Sequence, residues 1–198
     1  MERIALSNSA FEGDNNAYLF VDSDVTLVDT GDWLATTREQ LTATLADHGV
    51  GFADVDRIFL THWHHDHTGL AGEIQAESGA EVYVHTADAP LVAGDGDAES
   101  ALEAAHERAF ERWHVPDQKR AVLRERLTTH DDVTATPEVR TFEDGATFTV
   151  AGRELRVVHT PGHAAGHAIF ELDGDEVLSG DALLPKYTPN VGGADLRV

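Results

Sequence analysis

The sequence predicts an α+β fold in which two β-sheets pack face to face with helices outside. Two observations predict it. Short apolar strands and amphipathic helices come in two similar runs, and each run ends in histidine and aspartate residues suited to metal binding. A length of 198 residues suits one domain, 1–198, with a sizeable core. No repeat in the sequence shows an internal duplication directly.

Taken in order, Asn16 to Val21 and Val25 to Val28 bracket Asp22-Ser23-Asp24 and read as a hairpin. Asp29-Thr30-Gly31 closes it, and Asp32 can cap the next segment. From Trp33 to His48 the apolar residues Leu34, Leu41 and Leu45 recur at helical intervals, and Gly49 ends the helix. Arg57 to Thr61 reads as a buried strand. Leu70, Ala71 and Ile74 begin a helix that stops at Gly79, and Glu81 to His85 is another strand. Residues 98–130 have a different texture: Ala101, Leu102, Ala105, Ala109 and Phe110 mark one amphipathic helix, Val115-Pro116 breaks it, and Val122, Leu123 and Leu127 mark a second. This helical insertion reads equally as an active-site cap, with Phe110, Trp113 and His114 lining a pocket, or as a packing hairpin. From Glu138 onward strands return, with hairpins turning at Ala151-Gly152 and at Asp173-Gly174-Asp175.

Chemistry concentrates in Ile58-Phe59-Leu60-Thr61-His62-Trp63-His64-His65-Asp66-His67-Thr68-Gly69-Leu70. Imidazole and carboxylate together suit zinc (Zn), iron (Fe) or manganese (Mn), and the chain has no cysteine to offer a thiolate. In an extended segment, residues two apart share a face, so His62, His64 and Asp66 are expected on one side. His67 then points to the neighbouring side, which implies two adjacent metal positions.

Composition narrows the classes. Hydrophobic residues make up 41% of the chain, as in a folded protein, and no apolar run approaches the ~20 residues that span a bilayer. No membrane association is expected. The absence of cysteine and of a signal pattern is read as cytoplasmic. Asp and Glu total 36 against 14 Lys and Arg, a formal net charge of -22, and only Lys119 and Lys186 are lysines. Because the acidic residues are dispersed, the charge belongs to the whole surface and suits a protein of a salt-rich cytoplasm. At about 1 M salt the Debye length falls to about 3 Å and screens the self-repulsion. The same charge argues against nucleic acid as a partner and leaves a small-molecule substrate.

The His62-Trp63-His64-His65-Asp66-His67 segment resembles the H-x-H-x-D-H signature of the metallo-β-lactamase superfamily. Thr160-Pro161-Gly162-His163-Ala164-Ala165-Gly166-His167 resembles its second motif, Ser179-Gly180-Asp181 its strand-ending G-D, and Asn16-Ala17-Tyr18-Leu19 with Leu27-Val28-Asp29-Thr30-Gly31 its opening hairpin and D-T-G turn. The similarity spans about residues 15 to 190. It implies an αββα four-layer sandwich. It also implies that His62, His64 and His163 hold a first metal, that Asp66 and His67 hold a second, and that Asp181 bridges them. His65 is then a surface or supporting residue, His85, His159 and His167 are structural, and Asp29 orients a ligand loop.

The resemblance further implies a metal-activated hydroxide as nucleophile, with Asp66 holding the water and passing a proton to the leaving group. A small thioester or ester is the favoured substrate, as in the glyoxalase II-like branch. The alternatives are a mononuclear-iron persulfide dioxygenase of the same fold and an inactive, binding-only domain. One family element is missing, because no histidine follows His167 to complete the second site. Only 17 residues follow Asp181, too few for the remaining strand, loop and helix, so these 198 residues are expected to be a fragment. The second metal should then bind more weakly than the first, activity should be low, and uncovered apolar surface should favour a homo-oligomer.

Overall fold

The structure is a computed structural model that describes residues 1–8, 14–127, 135–186, 188–192 and 195–197, without the side chains of residues 125 and 126. Six strands form the first sheet in sequence order: β1 (Glu2–Ser7), β2 (Asp14–Val21), β3 (Val25–Val28), β4 (Arg57–Phe59), β5 (Glu81–His85) and β6 (Val139–Phe142). β1 to β3 pair antiparallel, and β3 to β6 pair parallel. The second sheet is antiparallel throughout, with β7 (Thr147–Val150), β8 (Arg153–His159), β9 (Ala168–Leu172) and β10 (Glu176–Leu178) in the order β10-β9-β8-β7.

Alternation along the strands sorts the apolar residues into two layers. Between the sheets, Phe20, Val28, Phe59 and Phe142 meet Val150, Leu155, Val157, Phe170 and Leu172. On the other face of the first sheet, Ile4, Leu19, Leu27, Ile58, Val82 and Val84 pack against helices. There α1 (Ala35–Asp47) buries Thr37, Leu41 and Leu45, each one turn or so from the next. A turn of helix, α2 (His65–Thr68), leads into α3 (Ala71–Ser78), which buries Ala71 and Ile74 and ends at Gly79 in the left-handed conformation. The outer face of the second sheet carries Glu154, Arg156 and Val177, and these are exposed. The mixed α/β sandwich expected from the sequence is therefore present.

Beyond α4 (Ala89–Val92), the insertion folds as α5 (Gly96–Arg112) and α6 (Asp117–Leu127); residues 128–130 of the expected span lie outside the described residues. Asp95 caps α5 by accepting the N–H groups of Asp97 and Ala98. Phe110 is buried within the helix contact together with Leu102 and Ala109, while Trp113 and His114 are exposed. The apolar stripe of α5 is used for packing, and Trp113 and His114 lie on the surface just beyond its end. No helix among the described residues is long and apolar enough to cross a membrane.

Phe59 is fully buried between the sheets, 5.1 Å from the Tyr83 ring, 4.8 Å from Phe148 and 6.0 Å from Phe170. Phe59→Ala should lower the unfolding free energy by about 3–5 kcal/mol in urea titrations, as large-to-small changes in packed cores do. Val177→Ala, on the open face, should stay within about 0.5 kcal/mol of the parent.

Candidate metal centre

Parallel strands deliver their C-terminal ends, and the loops that follow them, to one edge of the sandwich. Asp29 follows β3, and its N–H continues the ladder by donating to Phe59 O at 2.9 Å. Thr61 to His67 follow β4. The second sheet reaches the same edge, because Ala168 N–H donates to Thr61 O at 2.9 Å. The loop after β8 brings His163 and His167, and a 3-10 turn after β10 (Gly180–Ala182) brings Asp181. At Gly180, φ is +45°, and a Cβ would lie 2.8 Å from His167 Nε2 and 2.9 Å from Thr61 Cβ. Only glycine lets this turn close on the histidines.

The extended geometry expected for residues 62–67 is not what forms. The strand ends at Phe59, and His65 to Thr68 coil into α2. Asp66 and His67 therefore leave from a helical turn, and Asp66 does not share a face with His62 and His64. Two groups of donor atoms converge instead: His62, His64 and His163 in one, and His62, His67 and Asp181 in the other. In the first, His64 Nδ1 lies 3.0 Å from His62 Nε2 and 2.9 Å from His163 Nε2. Asp181 stands between the groups, with Oδ1 3.3 Å from His67 Nε2 and Oδ2 3.4 Å from His163 Nε2. Asp66 Oδ2 is 3.9 Å from His67 Nε2, outside both three-residue groups. It accepts hydrogen bonds from Asn15 Nδ2 at 2.9 Å and Asn8 Nδ2 at 3.1 Å.

Hydrogen bonds behind the histidines fix which ring nitrogen faces the centre. Asp29 Oδ1 accepts the Thr61 N–H at 2.8 Å, and Oδ2 accepts the Thr61 hydroxyl at 2.9 Å. With its proton committed there, Thr61 Oγ1 accepts from His62 Nδ1–H at 3.0 Å. His67 Nδ1–H donates to Asp29 Oδ2 at 2.8 Å, and His163 Nδ1–H donates to Asn190 O at 3.2 Å. The Nε2 atoms of His62, His67 and His163 are left to face inward. His62 thus has one lone pair to give, on the Nε2 that lies 3.0 Å from His64 Nδ1. His167 Nδ1–H donates to Thr160 Oγ1 at 2.8 Å, so its Nε2 accepts the Asp181 N–H at 3.1 Å. His167 positions Asp181 from behind.

Burial, followed by neighbouring imidazoles, holds His62 well below its usual range; burial and His163 push His64 down to about 3. Burial takes His167 down to about 3 as well. His67 goes the other way. Burial alone would lower it, but the carboxylates of Asp29, Asp66 and Asp181 outweigh that and hold it well above the usual value. Asp181, which burial alone would raise, is held well below the carboxylate range by its contact with His67 and by the charges of His67, His163 and His64. The second group is thus a place where negative charge holds a cation.

The donor set fits a divalent metal. A proton on His64 Nδ1 can satisfy one of the two nitrogens facing it, not both, whereas a cation satisfies all three. His67 Nε2, which faces the second group, is buried and makes no hydrogen bond. Around tetrahedral zinc with Zn–N near 2.0–2.1 Å, imidazole nitrogens sit roughly 3.3 Å apart, close to the spacing seen here. His65, by contrast, lies with its ring 4.6 Å from Trp33, in neither group. His85 and His159 stack at 4.0 Å, and His159 Nε2 donates to Ala165 O at 2.8 Å. Asn8, Asn15, Asp88, Asp195 and Arg197 had no signal in the sequence that set them apart from loop or capping residues.

A family model described as the metallo-beta-lactamase superfamily matches residues 10–197. Among curated proteins, the beta-lactamase-like protein 2 homolog of Drosophila melanogaster is 30% identical over 190 residues, 92% of this chain and 51% of that protein. Thioesterase pkgB of Emericella nidulans is 26% identical over 174 residues, 87% of this chain and 36% of that protein. The chain thus spans about half or less of the length of these relatives. Among solved structures, a metallo-beta-lactamase family protein from Thermus thermophilus superposes with a TM-score of 0.74 at 34% identity, covering 96% of this chain and 61% of that one.

Asp29 has φ of +57°, which aspartate and asparagine tolerate, so Asp29→Asn keeps the backbone while replacing one acceptor oxygen with a donor. It should weaken zinc binding by about 10–100-fold in calorimetric titration, the usual cost of losing a partner behind a ligating histidine. Unchanged zinc affinity would show that His62 and His67 are oriented without Asp29.

Proposed function

The chain belongs to the metallo-β-lactamase superfamily, and from that membership we propose that it is a metal-dependent hydrolase acting on a small thioester or ester. The observation that carries the reading is the convergence of His62 Nε2, His64 Nδ1 and His163 Nε2 at 2.9–3.0 Å beside Asp181. His62, His64 and His163 would hold the first metal, and Asp66 and His67 the second, with Asp181 reaching both. Zinc suits this N/O donor set, with iron or manganese the other candidates. Residues 1–198 act as one domain, with 98–130 as a helical insertion.

When bound, a divalent metal supplies a nucleophilic water ionised near neutral pH and a Lewis acid for the carbonyl oxygen. The chain's residues do the rest. Asp29, through Thr61 and directly, takes up the Nδ1 side of His62 and His67, so that Nε2 of each ring faces inward. Asp66, held by Asn8 and Asn15 through Oδ2, is kept below the usual carboxylate range by the charge of His67 and the Asn15 hydrogen bond, against the effect of burial. It is an acceptor near neutral pH, able to orient a water and relay its proton to the departing thiolate or alkoxide. The preference for a thioester rests on the thioesterase among the relatives. No second reading is favoured by a specific observation.

Because the chain has no cysteine, a thiol-detecting reagent reports only product thiol. Zinc-, iron- or manganese-loaded protein should release thiol from a short acyl thioester, and His62→Ala and Asp181→Ala should abolish release while His65→Ala leaves it. Oxygen consumption with a persulfide, and no thiol release, would replace this reading with the dioxygenase. Calorimetry should resolve a tight first metal and a weaker second, for which the described residues offer Asp66, His67 and Asp181.

The setting we infer is a salt-rich cytoplasm. Several of the few basic side chains are engaged by acids, as in Arg38 with Glu73, Arg153 with Asp173 and Glu176, and Arg156 with Glu171. The remaining acid surplus repels itself in dilute buffer. The melting temperature should climb from low salt to multimolar KCl, and a flat profile would refute the halophilic setting alone.

A further inference from the structure

Behind the histidines lies a second buried layer. Asp88 and Asp195 are both fully buried, although they come from distant parts of the chain. Asp88 Oδ2 accepts the Trp63 N–H at 3.2 Å, and its Oδ1 accepts the Gly166 N–H at 2.8 Å. Asp195 Oδ2 accepts Trp63 Nε1–H at 3.1 Å and the Ala165 N–H at 2.8 Å. One arginine serves both carboxylates. Arg197 Nη2 donates to Asp88 Oδ1 at 2.8 Å and to Asp195 Oδ2 at 2.5 Å, Nε donates to Asp195 Oδ1 at 2.8 Å, and Nη1 donates to Ala87 O at 2.6 Å.

The donors taken by these carboxylates flank the ligands. Trp63 sits between His62 and His64, and Ala165 and Gly166 sit between His163 and His167. Gly166 approaches so closely that a Cβ there would lie 2.6 Å from Asp88 Cγ. Each carboxylate thus spans the gap between the two loops that must bring three nitrogens within about 3 Å of one another. Two buried carboxylates side by side repel, and a single guanidinium fork holds them together. The balance is uneven. Burial alone would raise Asp195, but Arg197 and the backbone donors hold it at about 2, whereas burial pushes Asp88 up to about 6.

We propose that Arg197, acting through Asp88 and Asp195, is a positioning residue that sets the spacing of the two histidine loops and so the affinity of the first metal position. This rests on the metal-centre reading above. Without the guanidinium, the two carboxylates part or take up a proton, and the loop N–H groups they hold shift with them. A displacement of a few tenths of an ångström is enough to misalign three ligands from two loops.

The test uses the whole chain and three readouts: zinc affinity by competition titration, the visible absorption spectrum of the cobalt(II)-loaded protein, and the melting temperature without metal. Arg197→Gln should weaken first-site zinc by about 10–100-fold and alter the cobalt bands. Arg197→Lys should recover part of the affinity, and Trp63→Phe, which removes Nε1–H together with part of the indole, should cost a few-fold. Leu41→Ala is the control for a merely structural loss, since it should lower the melting temperature with zinc affinity unchanged. If Arg197→Gln melts lower yet keeps parental zinc affinity and cobalt bands, the proposal is overturned. Should that variant fail to fold, Trp63→Phe and Asp195→Asn decide, and parental affinity in both overturns it. A parent chain that binds neither zinc nor cobalt would instead overturn the metal-centre reading itself.

Discussion

Asp29 is the carboxylate on which the arrangement of the centre depends. It sits where β3 ends, buried, and takes the Thr61 N–H, the Thr61 hydroxyl and His67 Nδ1–H. A buried carboxylate needs such donors, or the cost of removing it from water would be several kcal/mol. The donors in turn acquire their orientation from it. Through Thr61 it sets the tautomer of His62, and directly it sets that of His67, so both candidate metal positions are linked to one side chain. Its position follows from the parallel pairing of β3 with β4, which aligns the two strand ends on the same edge.

The two sheets contribute unequally. The first supplies the loop with most of the donors, and the second supplies His163 and Asp181. They are joined at the centre by a backbone hydrogen bond from Ala168 to Thr61 and by the close approach of Gly180 to Thr61 and His167. The aromatic layer around Phe59 lies just below, so the register between the sheets is set by packing before any polar contact refines it. Rigid elements thus carry the ligands, which suits a centre that must hold several groups at fixed distances.

Much of this is legible in the sequence. The strands, the helix from Ala35 and the hairpins at Gly152 and Gly174 follow from periodicity and turn residues. The motifs single out the histidines and Asp181 that meet in space. Local geometry within the main motif is not legible, because alternation predicts an extended run where a turn of helix forms at His65. Asp66, which leaves from that turn, falls outside both groups of donor atoms. Asn8 and Asn15 look like ordinary polar strand and loop residues until folding sets them on Asp66. Asp88 reads as the start of a short helix, and Asp195 and Arg197 as loop residues, since their partners lie far away in the chain. The place of Trp113 and His114 between the two metal motifs suggests a pocket role, and the structure leaves both exposed just past the end of α5.

The separation of His64 from His163, 99 residues apart, has a kinetic consequence. Neither group of donors is complete until β4 has paired within the first sheet and the second sheet has brought in His163 and Asp181. Such long-range closures come late when proteins of high contact order fold. A metal that needs both loops therefore does little to speed the search for the native state. It acts on the return journey, since the first opening that parts the sheets also breaks the metal's coordination. Metal binding should accordingly lengthen the lifetime of the folded chain more than it hastens its formation.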